Sequence, residues 1–389
     1  MHNDPIIISI FVIFTGSAVL ATLALYARQT LIVGYIVWGI ILGPSGFAAI
    51  ENPVVINEIA HIGIIFLLFL LGLNLKPQDL LHTVRKTTVI TVITSLVFML
   101  LGFLISMLFN FALWESLLIG AAMMFSSTII GLKLLPTTVL HHRHTGEVMV
   151  SILLLQDLFA IIILLIIQGW NTGNSPLMSV ALSVAALPVL IGFAILFERY
   201  ILIKIISKFD KIQEYIFLVT IGWCLGMAAL AAKMGLSYEI GAFIAGVVLA
   251  SSPIALFIAE SLKPLRDFFL VIFFFTLGAG LELGTLYTIL VPAMVLAGVM
   301  LIIKPLLFKF LMIKLGEKSD LSLEIGVRLG QISEFSLLIA VVALNSNVIG
   351  EQASYLIQAA TIITFVMSSY FIVLNYPTPI AVSDRLRRD

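Results

Sequence analysis

Apolar runs long enough to cross a lipid bilayer recur from one end of this chain to the other, and that recurrence limits the fold more than any other feature. A hydrocarbon core about 30 Å thick takes roughly 20 residues of α-helix, and about thirteen such runs can be read. They lie near residues 5–25, 31–49, 57–73, 86–109, 113–136, 146–168, 176–200, 212–233, 236–252, 266–283, 286–311, 321–346 and 353–375. Lipid offers no partner to a backbone N–H or C=O, so spans of this kind must be helical. The expected fold class is an all-α polytopic membrane protein of about 13 transmembrane helices. Composition agrees: 61% of the 389 residues are hydrophobic and 11% are charged, against roughly a quarter charged in an ordinary soluble domain. Only short loops separate the runs, so residues 1–389 read as one membrane domain.

Charge excludes some functions and sets an orientation. Lys plus Arg equals Asp plus Glu at 21 each, so no basic excess points to a nucleic-acid partner. Cys224 is the single cysteine, which rules out an intrachain disulfide and a cysteine metal site. The N-terminus has neither a basic start nor a small-residue cleavage site, so Ile6 to Leu25 reads as a retained span. Lys and Arg near span ends stay on the cytoplasmic side. Arg28, Lys76, Arg85, Lys86, Arg143, Lys204, Lys208, Lys211, Lys263, Arg266, Lys314, Lys318, Arg385, Arg387 and Arg388 fall on one side, and the opposite loops hold little beyond Lys233. The N-terminus is therefore expected outside, the C-terminus in the cytoplasm, and the membrane lipid is an expected partner.

The two halves repeat. Phe66–Leu75, FLLFLLGLNL, resembles Phe274–Leu283, FFTLGAGLEL, and Gly34–Gly46 shares a Gly-rich apolar pattern with Gly241–Pro253. The offset is about seven spans, an odd number, so the copies have opposite topology. Inverted repeats typify secondary transporters, whose site lies near the midplane where broken helices from the two halves meet.

Ionisable groups deep in apolar spans are expensive and are functional candidates by default. Asp157 lies in the sixth run within ILLLQDLFAIIILLII, with Gln156 as its polar neighbour. Burial disfavours a charged carboxylate and a nearby cation favours it, so such a group takes a proton or a dehydrated cation in turn. A structural helix–helix hydrogen bond is the plainer reading. Ser126, Ser127 and Thr128 sit mid-way in the fifth run, and Gly330, Gln331, Ile332 and Ser333 in the twelfth. Small and hydroxyl residues can cover backbone freed where a membrane helix unwinds, although hydroxyls also bond their own helix. Lys304 in the eleventh run is a candidate counter-charge to Asp157, or a lysine reaching the cytoplasmic headgroups beside Lys309. Glu334 and Arg328 flank the proposed break in the twelfth run and suit opposite helix-end dipoles, chiefly as structural charges. His141, His142 and His144 surround Arg143 in a cytoplasmic loop that is better read as solvated than as a metal or pH site. Gly43, Pro44, Gly72 and Gly280 suit turns and close helix contacts.

At these residues the chain resembles the Kef-type branch of the cation:proton antiporter 2 family. Arg28–Pro44, RQTLIVGYIVWGIILGP, and Gly63–Leu75 look like its second- and third-helix signatures. Ser126, Ser127 and Thr128 match the Ser-Ser-Thr of its broken fifth helix, and Gln156 with Asp157 matches the Gln-Asp pair of Kef-like exchangers. Gly235–Ala250, Pro264–Gly280 and Gln331–Phe335, QISEF, match later signatures. Asn74 stands where the family usually has an acid, Ile332 and Ser333 replace a Gly pair, and Ser251–Leu262 carries one acid where an acidic regulatory segment is expected.

The resemblance implies a sodium/proton antiporter-like fold: an inverted repeat with two crossed broken helices. It implies a homodimer, with residues 5–85 and 212–283 as dimerisation scaffold, residues 86–168 and 286–375 as a mobile ion-transporting core, and residues 169–211 as a linker helix. Gln before Asp implies electroneutral exchange of one potassium ion for one proton, in the inner plasma membrane of a bacterial cell, by an elevator motion. Gln156, Ser126, Ser127 and Thr128 would lend oxygens to the cation on Asp157. Kef-type proteins continue into a cytoplasmic nucleotide-binding domain, so the expected regulator here is a separate cytoplasmic subunit or a segment beyond Asp389. No cofactor is expected apart from the transported potassium or sodium ion and the proton. Sodium:proton exchange and a channel-like potassium pathway are the alternatives. An intramembrane enzyme or a sensor fits less well, because the spans contain no HExxH motif or paired aspartates.

Overall fold

The computed structural model describes residues 5–43, 46–47, 53–74, 85–134, 144–169, 176–209, 212–252, 254–281 and 283–378. Pro44, Lys76, His141, His142, Arg143, Lys211, Arg385, Arg387 and Arg388 lie outside them, with the expectations attached to those residues. Every regular element described is a helix: α1 (Pro5–Tyr26), α2 (Leu31–Leu42), α3 (Pro53–Asn74), α4 (Arg85–Leu108), α5 (Leu113–Met123), α6 (Thr128–Lys133), α7 (His144–Gly169), α8 (Pro176–Phe197), α9 (Ile203–Lys208), α10 (Gln213–Lys233), α11 (Tyr238–Ala250), α12 (Ala255–Ala279), α13 (Leu283–Lys314), α14 (Ser319–Arg328), α15 (Glu334–Asn345) and α16 (Glu351–Asn375).

Six described helices have the length and apolar character to cross a membrane, in α1, α4, α7, α10, α13 and α16, and five shorter apolar helices accompany them. The elements depart from the apolar runs in three ways. The fifth and twelfth runs are each split in two, as α5 with α6 and α14 with α15. The seventh run continues through a π-helical turn, Glu198–Leu202, into α9. The tenth begins early: α12 starts at Ala255, so Lys263 and Arg266, read as loop charges, lie within the helix. Lys263 there pairs with Glu260 one turn back at 2.5 Å, the side-chain spacing that lets a charged stretch remain helical.

Packing divides the chain into two compact units. The first comprises residues 1–9, 51–82 and 165–276, and holds α3, α8 to α11 and most of α12. Its core includes Phe69, Cys224, Ala242, Ala245 and Leu249, none of them exposed. Without a hydrophobic force between helices in lipid, close association depends on small residues that bring backbones together. Gly246 of α11 lies against α3 so closely that a Cβ there would sit 2.0 Å from the Phe69 carbonyl oxygen, and one on Gly72 would sit 2.4 Å from that of Phe243. His61 Nε2 and Glu239 Oε1 pair at 2.9 Å across the same two helices.

The second unit comprises residues 10–50, 83–164 and 277–389, and holds most of α1, then α2, α4 to α6, most of α7, the end of α12 and α13 to α16. Trp38 of α2 donates to the Val12 carbonyl of α1 at 3.0 Å, in the room left by Gly16. Gly102 of α4 and Gly120 of α5 allow a similar approach. Buried aromatics, among them Phe98, Phe125, Phe308 and Phe365, fill its interior.

Gly246→Leu should lower the melting temperature of the detergent-solubilised protein by several degrees, since overpacking costs about 1–3 kcal/mol or more when backbone is in the way. Gly222→Leu, a site with nothing within 4 Å of a built Cβ, should leave it unchanged. Thermal unfolding followed by size-exclusion chromatography compares the two.

Candidate functional site

The two helix interruptions lie in the second unit and touch each other. Residues 124–127 separate α5 from α6, and residues 329–333 separate α14 from α15. Each break releases backbone donors and acceptors in the middle of an apolar bundle, where an unsatisfied group costs several kcal/mol. The side chains around the crossing account for them almost group by group.

Gln156, fully buried on α7, uses both ends of its amide on the first break: Oε1 accepts from Ser126 N at 2.9 Å and Nε2 donates to Met124 O at 3.1 Å. Thr364 on α16 serves the second, its Oγ1 accepting from Ile332 N at 3.0 Å. Ser127 Oγ accepts from Ile130 N at 3.1 Å, and Ser333 Oγ from Phe335 N at 3.1 Å. Those two hydroxyls cap the helices that restart after each break. Ser126 Oγ then donates across to Leu329 O at 2.8 Å, and Ser336 Oγ to Ala122 O at 2.5 Å, so each break is stitched to the other. Gln331 bonds Arg328 O at 2.9 Å and Ser127 O at 3.4 Å through its Nε2, while Ser368 donates to its Oε1 at 3.0 Å.

Lys304 brings a buried amine to the crossing. Gly326 and Gly330 press against Pro305, where a Cβ on Gly326 would lie 2.7 Å from the Pro305 carbonyl oxygen. That contact sets α13 close beside α14. The fully buried ammonium donates to Phe125 O at 2.5 Å and Gln331 O at 3.3 Å, 3.5 Å from Ser126 Oγ, with the Phe98 ring centroid 5.2 Å away. A cation is stabilised where helices end and their carbonyls point outward, and Lys304 meets such carbonyls from both breaks. It forms no ion pair with Asp157.

Asp157, one residue beyond Gln156, is 2% exposed, and its Oδ2 is buried with no hydrogen-bond partner. The Oγ1 of Thr128, at the start of α6, is also buried without one. Among the oxygens expected to serve a cation, these two side chains keep one uncommitted, whereas Gln156, Ser126 and Ser127 hold backbone. Glu334 is the first residue of α15, directly after the capping Ser333 of the second break. Arg328 is engaged elsewhere: Glu324 receives its Nε at 2.9 Å, Leu134 O its NH1 at 2.9 Å and Pro377 O its NH2 at 2.9 Å. His144 lies away from the crossing, pairing with Glu317 at 3.1 Å and Glu147 at 3.7 Å, and no described cluster of His, Cys, Asp or Glu could hold a metal ion.

Three participants went unread in the sequence: Thr364, Ser368 and Ser336. For Thr364 and Ser368 the signal is a polar side chain recurring at helical spacing along α16, with Ser354, Gln358, Thr361, Thr364 and Ser368 all buried. In hydrocarbon such a stripe must meet protein.

Two interrupted helices are thus stitched to each other at their breaks, with a buried carboxyl, Asp157, one residue from Gln156 and a buried amine, Lys304, on their carbonyls. A family model described as sodium/hydrogen exchanger, transmembrane, matches residues 10–374. The chain belongs to the sodium/hydrogen exchanger family. Its members are cation:proton antiporters, multi-pass membrane transporters, not enzymes.

Among curated proteins, this exchanger is 28% identical to the "Iron transporter MagA" of Paramagnetospirillum magneticum, over 89% of this chain and 80% of that one. It is 29% identical to "K(+) efflux antiporter 4" and 30% to "K(+) efflux antiporter 6" of Arabidopsis thaliana, over 87% of its own length in both cases. It spans 59% and 58% of those plant proteins. These relatives agree with the resemblance to a cation:proton antiporter 2 membrane domain. The fold matches that of the sodium proton antiporter MjNhaP1 from Methanocaldococcus jannaschii, with a TM-score of 0.69 at 19% identity, covering 94% of this chain and 95% of that one.

Lys304→Met should strip the donor from carbonyls of both breaks. A buried polar group left unpaired costs about 1–3 kcal/mol, so the variant should melt several degrees below the parent in a detergent thermal-shift measurement. Lys309→Met, on the same helix, should not.

Proposed function

We propose that this exchanger trades potassium for protons one for one, with Asp157 binding each in turn. The observation that carries the reading is the Asp157 carboxyl, buried beside the first break with Oδ2 uncommitted. In an apolar interior a carboxylate is costly as a bare charge and is relieved by a proton or by a cation. One site that holds either but not both gives obligatory exchange when it faces the two aqueous phases alternately. Thr128 Oγ1 supplies a second oxygen, and carbonyls of the unwound segments can replace cation hydration as carbonyls do in selectivity filters. Gln156 acts here through the backbone it holds. A site with several neutral oxygens suits a large, weakly hydrated cation, and relatives named K(+) efflux antiporters support potassium.

In this reading the chain contributes about thirteen spans in two inverted copies. Residues 86–168 and 286–375 form the core that carries Asp157, moving elevator-fashion against a dimerisation scaffold of residues 5–85 and 212–283. The working unit is a homodimer in a bacterial inner membrane, N-terminus outside, open to a separate cytoplasmic regulatory subunit.

The test is proton movement in proteoliposomes on addition of potassium. Asp157→Asn should abolish it, and normal exchange in that variant would sink the reading. Potassium and rubidium should drive exchange better than sodium or lithium. Ferrous ion belongs in the series, because one relative is named an iron transporter.

Competition for one carboxylate also fixes a sign. The potassium concentration for half-maximal exchange should rise as pH falls, approaching about tenfold per pH unit once the proton occupies most sites. Separate proton and cation sites would leave it flat. Thr128→Val should raise it roughly threefold to tenfold, the equivalent of one modest interaction.

A further inference from the structure

Arg328 is the largest side chain with no exposed surface among the described residues, and nothing in the exchange cycle above uses its charge. A guanidinium is a rigid planar fork of five donors that cannot lose its proton in a protein, so burying one requires acceptors arranged to match. Here three separate stretches of chain provide them. Glu324, one turn earlier on α14, receives Nε and also lies 2.9 Å from NH2. Leu134 O, just past the end of α6, receives NH1, and Pro377 O, just past the end of α16, receives NH2. The ring of Tyr376 stacks 5.6 Å from the guanidinium carbon.

Arg328 is itself the last residue of α14, so the fork joins the post-crossing half of one interrupted helix to the pre-crossing half of the other. It then adds the chain that leaves the final helix. Its own carbonyl accepts from Gln331 Nε2 at 2.9 Å, and that nitrogen reaches Ser127 O at 3.4 Å. A continuous path of hydrogen bonds therefore runs from Pro377 to the capping residue of the first break.

We propose that Arg328 is a positioning residue for exchange: it fastens Tyr376–Thr378 to both interrupted helices, so that a disturbance where the chain leaves α16 is felt at the crossing. The proposal rests on the antiporter reading for what the crossing does. Lysine cannot replace the arginine, because one ammonium cannot present a planar fork to acceptors on three segments.

The experiment uses the full chain in proteoliposomes with Thr378→Cys added, Thr378 having no exposed surface. Labelling by a membrane-permeant maleimide is timed against the chain without that substitution, in which Cys224 is buried. With Arg328 intact labelling should be slow. With Arg328→Lys it should quicken about tenfold or more, as local opening of the segment exposes the thiol. Turnover should fall several-fold while half-saturating potassium shifts by less than about twofold, the split that separates positioning from binding. Glu324→Gln should move both readouts the same way by less, and it decides the matter if Arg328→Lys does not fold. Unchanged labelling overturns the proposal. So does faster labelling with normal turnover, or a change in half-saturation alone. Asp157→Asn should stop exchange and leave Thr378→Cys slow to label. If exchange survived that change, the carboxylate reading would fail, and the labelling result would still judge Arg328.

Discussion

Main-chain polar groups released inside hydrocarbon have nowhere to turn except to the protein, and the rest of this exchanger is arranged around that requirement. An unbroken helix meets it internally. Two helices that stop and restart cannot, and the residues around residues 124–127 and 329–333 exist largely to supply what is missing. Gln156 answers one break with both ends of its amide, Thr364 answers the other with a hydroxyl, and Ser127 and Ser333 cap the helices that resume. The stitches from Ser126 to Leu329 and from Ser336 to Ala122 turn two local defects into one structure.

Charge follows the same geometry. Broken helices present carbonyls where they stop, and Lys304 is buried among such carbonyls from both. Lys304 is committed to the backbone, and Asp157 keeps a buried oxygen with no hydrogen-bond partner. A carboxyl in those surroundings is poorly served as a bare anion.

Much of this was legible in the residues. Polar and small side chains in the middle of two apolar runs, Ser126 to Thr128 and Gly330 to Ser333, coincide with the segments where helix is lost. Asp157 stood out because no other acid lies within Ile152–Ile167. The pairing of donors with acceptors was not legible, for a physical reason. A threonine such as Thr364 at helical spacing reads the same whether its hydroxyl turns back on its own helix or accepts from Ile332 across a gap. The acceptors of Lys304 and Arg328 are backbone carbonyls, which carry no side-chain signature at all. Charge also hid helix: Lys263 and Arg266 read as a loop, yet a partner one turn away keeps that stretch helical in α12.

The commitment of Gln156, Ser126, Ser127 and Ser333 to main chain has an evolutionary consequence. Replacing any of them reshapes a scaffold before it alters the chemistry offered to an ion. A change at one break would therefore be carried to the other through the stitches from Ser126 to Leu329 and from Ser336 to Ala122, so that the two interruptions can vary only together.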